Sequence, residues 1–108
     1  MSATDAPSIN LRGGFMLTVL AELKVREGKV DEAKAAFRDL MKTVKSTEPG
    51  TVVYTFHQRK DDARTFVVYE RYQDESAFQT HMGNLGQHAA TLAAVLEGGP
   101  SATFLDDI

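Results

Sequence analysis

The sequence predicts a ferredoxin-like α+β sandwich, a four-stranded antiparallel sheet carrying helices on one face. Three observations lead there. Apolar residues run nearly unbroken from Phe15 to Val25, FMLTVLAELKV, as expected of a central strand. Thr51 to Arg59 and Thr65 to Tyr72 are rich in β-branched and aromatic residues, and only the short polar segment Lys60-Asp61-Asp62-Ala63-Arg64 separates them, which is a hairpin pattern. Helical periodicity fills the intervals before and after that hairpin, so the element order reads β-α-β-β-α-β.

Residues 1–14 mix small and polar residues with Pro7 and the Gly13-Gly14 pair, and they read as a loose arm ahead of one domain spanning 15–108. After the first strand Gly28 breaks the pattern. Val30, Ala33, Phe37, Leu40, Met41 and Val44 then recur at three- and four-residue spacing, the apolar stripe of an amphipathic helix that Glu48-Pro49-Gly50 ends. In the second strand Val52, Tyr54 and Phe56 alternate with Val53, Thr55 and His57. In the third, Phe66, Val68, Glu70 and Tyr72 share one face. Asp74 occupies a helix N-cap position, and Ala77, Phe78, His81 and Met82 follow on one side of that helix. Gly83 and Gly86 are candidate breaks before a further stripe, Leu85, Ala89, Leu92, Val95 and Leu96, which ends at Gly98-Gly99-Pro100. Ala102 to Leu105 reads as a short closing strand.

At 108 residues the chain has the size of a single domain, and its 43% hydrophobic and 25% charged content is that of a folded protein. A net charge of -3 without blocks of one sign offers no footprint for nucleic acid. The absence of cysteine excludes disulfides, thiolate nucleophiles and thiolate metal sites. No apolar run approaches the ~20 residues that span a bilayer, so a cytoplasmic protein without membrane contact is expected. Helices on one face leave apolar and aromatic residues on the other, and a second copy of the chain packing sheet to sheet would cover them.

Of the three histidines, His81 and His88 lie in the helical half, where a pocket against the sheet could open, and they share a face if the helix is continuous. His81 is a candidate general base or hydrogen-bond donor because imidazole titrates near neutrality. The alternative is a core-edge histidine bonded to a carboxylate or a backbone carbonyl. Glu70 stands on an apolar strand face, where a lone carboxylate is costly, so it needs a partner: His81, Arg59 or Arg71. Equally, it could pair with an arginine at the sheet end or across an interface. Tyr54, Tyr72, Phe66 and Phe78 can wall a flat aromatic ligand or simply fill the core. His57 faces away from Tyr54 and is left outside the site. No metal-ligand spacing, phosphate loop, nucleophile elbow or dinucleotide fingerprint is present, so no cofactor is expected.

The central stretch resembles the antibiotic biosynthesis monooxygenase family of dimeric α+β barrels, which includes small quinol monooxygenases. EPGTVVYTF followed by TFVVYERYQDESAFQTH carries the landmarks Gly50 and Tyr54, then Phe66, Glu70 and Tyr72, then Ala77 and His81, and the likeness extends over about Met16 to Leu105. The resemblance implies a homodimer with sheets back to back. It also implies oxidation of a phenolic or quinol substrate by molecular oxygen without metal, flavin or haem. In that reading His81 is the acid/base, Glu70 its orienting partner, and Tyr54 and Tyr72 pocket residues, with Phe66, Phe78 and His88 as further substrate contacts. Haem cleavage fits less well, since the chain has no tryptophan and no Asn in the first strand. A non-catalytic dimeric ligand-binding or stress-response module of the same fold is the competing reading.

Overall fold

The computed structural model describes residues 16–108. The arm read at residues 1–14 and the Phe15 start of the first strand therefore lie outside the described residues. The elements follow the expected order: β1 (Leu17–Lys24), α1 (Val30–Thr47), β2 (Thr51–Gln58), β3 (Thr65–Tyr72), α2 (Glu75–Leu85), a 3₁₀ turn (Gly86–His88), α3 (Ala89–Val95) and β4 (Ser101–Leu105). The strands form one sheet in the order β2-β3-β1-β4, each neighbouring pair antiparallel. This is the ferredoxin-like topology.

Alternation along the strands separates the two faces of the sheet. Val19, Ala21 and Leu23 of β1 pair with Glu70, Val68 and Phe66 of β3, and all six turn toward the helices and are buried. The stripe of α1 meets them through Ala33, Phe37, Leu40 and Val44. The Phe37 ring stacks on Phe56 with centroids 4.5 Å apart and meets Phe66 edge-on at 5.2 Å. Full burial of one such side chain stabilises the fold by about 1.5–3 kcal/mol, so this contact fixes α1 against the β2–β3 half of the sheet. The other half is tied down by backbone. Arg26 N–H donates to the Val95 carbonyl (2.8 Å) and Glu97 N–H to the Lys24 carbonyl (2.7 Å), joining the end of β1 to the end of α3.

Two local readings are corrected. Val52 does not share the inner face with Tyr54 and Phe56: the register slips between Thr51 and Val53, and the extra residue of the bulge stands out to solvent, 49% exposed. Gly83 does not break α2, which continues to Leu85; the break falls at Gly86, where the helix tightens into the 3₁₀ turn.

The outer face carries Leu20 and Leu105, 39% and 40% exposed, beside half-buried Val53, Val67 and Tyr69, and no described helix lies over it. Arg71 crosses this face, donating from both terminal nitrogens to Asp107 at 3.0 and 2.7 Å and to the Thr18 hydroxyl at 3.0 Å, which fastens the chain end to β1 and β3. Among the described residues no helix is long and apolar enough to cross a membrane.

Candidate active site

The site begins at the turn between α1 and β2. Pro49 cannot continue α1, so the helix stops and Glu48 becomes its C-cap, its N–H donating to the Val44 carbonyl at 2.9 Å. Glu48 is four residues beyond Val44 and so continues the inward stripe; its side chain is buried, 5% exposed. A buried carboxylate needs donors. Two are supplied outright, the Thr51 hydroxyl donating to Oε1 at 2.9 Å and the Asn84 amide to Oε2 at 3.2 Å, and His81 Nδ1 lies 2.8 Å from Oε1.

Asn84 and His81 both come from α2, which must approach the turn closely. Gly50 permits this, because a Cβ there would fall 2.6 Å from the Ala77 Cβ. Asp74 caps the helix, accepting from Ala77 N–H at 2.8 Å, and Gln73 N–H donates to the Gly50 carbonyl at 2.9 Å, so the start of α2 is pinned to the same turn. His81, two turns into α2, is thereby set over Glu48 and is 1% exposed.

Between α2, α3 and the inner face of the sheet lies a cavity of about 420 Å³. Its walls are apolar, among them Val19, Val68, Phe78, Leu92 and Phe104; its polar side chains are Tyr54, Glu70 and His81. Tyr54 and Glu70 are cross-strand partners on β2 and β3, and the Tyr54 ring meets the His81 ring edge-on at 4.8 Å. Tyr72 sits behind them, fully buried, and donates its hydroxyl to Glu70 Oε1 at 2.5 Å. Burial raises the Glu70 carboxyl above its ordinary value, with the Tyr72 hydrogen bond and the neighbouring His81 opposing it. Burial also raises the Tyr54 and Tyr72 hydroxyls, reinforced by the nearby carboxylates, so both stay protonated phenols at neutral pH. With Nδ1 engaged by Glu48, Nε2 on the opposite edge of the imidazole is the nitrogen left for a ligand. Among the described residues the site's hydrogen bonds include neither Nε2 of His81 nor the Tyr54 hydroxyl.

The structure thus gathers His81, Glu70, Tyr54 and Phe78 around one cavity. It separates the others. Tyr72 is not among the lining residues and stands behind Glu70, His81 and Phe78; Phe66 is packed into the core against Phe37; and His88 falls in the 3₁₀ turn, outside the lining. The expected bond between His81 and Glu70 is not formed. Residues two apart on a strand share a face, so Tyr72 takes Glu70, while the close seating of α2 on the α1–β2 turn gives His81 to Glu48. Glu48 was the residue missed. Its signal was present: a carboxylate in register with the buried stripe Phe37, Leu40 and Val44, immediately before Pro-Gly. Among the described residues no group of three or more His, Asp or Glu could hold a metal ion.

Comparison with known proteins follows the same outline. The family profile described as antibiotic biosynthesis monooxygenase matches residues 16–93. A crystal structure of a candidate antibiotic biosynthesis monooxygenase from Caulobacter crescentus superposes with a TM-score of 0.81 at 31% identity, covering 87% of this chain and 91% of that one. A candidate monooxygenase from Nitrosomonas europaea gives a TM-score of 0.79 at 22% identity, over 88% of this chain and 92% of that one. A Pseudomonas aeruginosa protein gives 0.78 at 21%, over 88% and 96%. The last two establish the shared fold. No curated protein matches the chain.

The raised Glu70 carboxyl has a measurable consequence. A carboxyl that titrates higher folded than unfolded binds more protons in the folded state, so stability falls as pH rises from its ordinary value of 4.5 through its folded value. Urea denaturation should show wild type losing stability relative to Glu70→Gln as pH climbs through that window, with a constant difference above it. A difference independent of pH, or one growing in favour of wild type, would contradict the desolvated carboxyl.

Proposed function

This chain belongs to the antibiotic biosynthesis monooxygenase family, and from that premise we propose that it oxidises a small aromatic quinol or related phenol with molecular oxygen, using no metal, flavin or haem. The observation that carries the reading is His81: a buried imidazole with Nδ1 bound to a carboxylate and its ring facing an apolar cavity of about 420 Å³. That volume is within the usual range of small-molecule sites.

The chemistry follows from the cavity's few polar groups. Nε2 of His81 takes the phenolic proton, and the apolar walls keep water from the electron-rich anion while it reacts with oxygen. Tyr54 and Glu70, side by side on the sheet, bind the substrate's second oxygen and hold the ring against Phe78. For a quinol the balance is one oxygen atom into the ring and one released as water with two substrate hydrogens, the substrate supplying all four electrons.

Oxygen uptake with a panel of quinols tests this. Wild type should consume oxygen well above the spontaneous rate, and His81→Ala should lower kcat about 10²–10⁴-fold, the usual contribution of a positioned base. Equal rates for the two remove His81 from the mechanism. Ligand binding without uptake favours the non-catalytic module.

The outer face, which no described helix covers, supports a homodimer joined sheet to sheet, with Leu20, Val67, Tyr69 and Leu105 of each copy in the contact. Such patches are ordinarily covered by another chain. Light scattering at micromolar concentration should give twice the chain mass; a monomer would contradict the dimer.

A further inference from the structure

We infer that Glu48 is the positioning residue of this site: it fixes the tautomer of His81, keeping the ring proton on Nδ1 and presenting an unprotonated Nε2 to the cavity. The inference deepens the reading of His81 as the base and rests on it only for the catalytic consequence.

The hydrogen-bond inventory around Glu48 carries the assignment. An Asn Nδ2 only donates, and it donates to Oε2; the Thr51 hydroxyl donates to Oε1. An ionised carboxylate only accepts, so with Glu48 in that form, held by these two donors, Nδ1 at 2.8 Å supplies its own proton. Among the described residues no other group competes for that nitrogen. Tyr54 and Tyr72 meet the imidazole ring to ring, at centroid distances of 4.8 and 5.3 Å, and the Tyr72 hydroxyl is committed to Glu70. Glu70, the remaining acidic group near the ring, bonds to Tyr72 and not to His81.

The placement suits the task. Glu48 is not among the residues lining the cavity beneath α2 and α3, and it is held by Thr51 at the start of β2 and Asn84 on α2. The partner that sets the proton's position is thus anchored by two elements and does not touch the space a substrate would occupy. A ring so bound on one edge presents the other in a single orientation.

Long-range proton–nitrogen NMR of labelled protein reads the tautomer directly. In wild type the neutral His81 ring should carry its proton on Nδ1. In Glu48→Gln the side-chain amide can donate to Nδ1 while its carbonyl still accepts from Thr51 or Asn84, so the proton should move to Nε2. Glu70→Gln should leave it on Nδ1. In turnover, Glu48→Gln should lower kcat about 10²–10⁴-fold with KM little changed, because the cavity walls are intact. A wild-type ring protonated on Nε2 overturns the inference, and it does so whether or not the variant folds. So does a folded Glu48→Gln that keeps both the Nδ1 proton and wild-type kcat. A chain that oxidises no quinol yet shows the expected tautomer switch refutes the monooxygenase reading and supports the assignment of Glu48; oxidation with the wrong tautomer does the opposite.

Discussion

The structure turns on a carboxylate that the fold cannot leave unpaired. Glu48 enters the interior because it continues the inward stripe of α1, and an ionised group there is destabilising by several kcal/mol unless donors surround it. Meeting that need determines much else. Thr51 must follow within the turn, α2 must descend far enough to bring His81 and Asn84, and the approach of α2 requires the missing side chain at Gly50 against Ala77. One polar requirement thus couples the end of α1, the start of β2 and the whole of α2.

Having met it, the chain leaves a cavity with polar atoms in two places on otherwise apolar walls. His81 belongs to the helical roof, and the Tyr54–Glu70 pair to the sheet floor. The two carboxylates are in different states of need. Among the described residues Glu48 has several hydrogen-bond partners, whereas Glu70 has Tyr72 alone and burial favours its neutral form. An imidazole at one end and hydrogen-bonding groups at the other support the proposed flat substrate with oxygens at both, and apolar walls support the proposed anion that must meet oxygen before water.

The sequence made the sheet legible because β1 is a nearly unbroken apolar run, β2 and β3 are rich in β-branched and aromatic residues, and the turns carry Pro, Gly and polar residues where the backbone needs them. It made α1 legible through spacing alone. Errors arose where a single local event breaks a period: the bulge that turns Val52 outward, and the change of helical pitch at Gly86 that takes His88 away from the cavity. His81, Glu70 and Tyr54 were found as polar residues on apolar faces. Their pairing was not, because hydrogen bonds between residues 33 apart depend on how closely two elements seat, and that was decided by the small residues Gly50 and Ala77. Glu48 hid at a helix end, where a charged residue usually means solvent.

The central claim, that His81 removes a proton from a phenolic substrate inside this cavity, can be tested before any oxygen chemistry occurs. Bound without oxygen at neutral pH, a quinol with a resolved phenolate absorption should show the spectrum of its anion in wild type and of its neutral form in His81→Ala. A substrate that binds wild type yet stays neutral, or that ionises equally in both, would contradict the account.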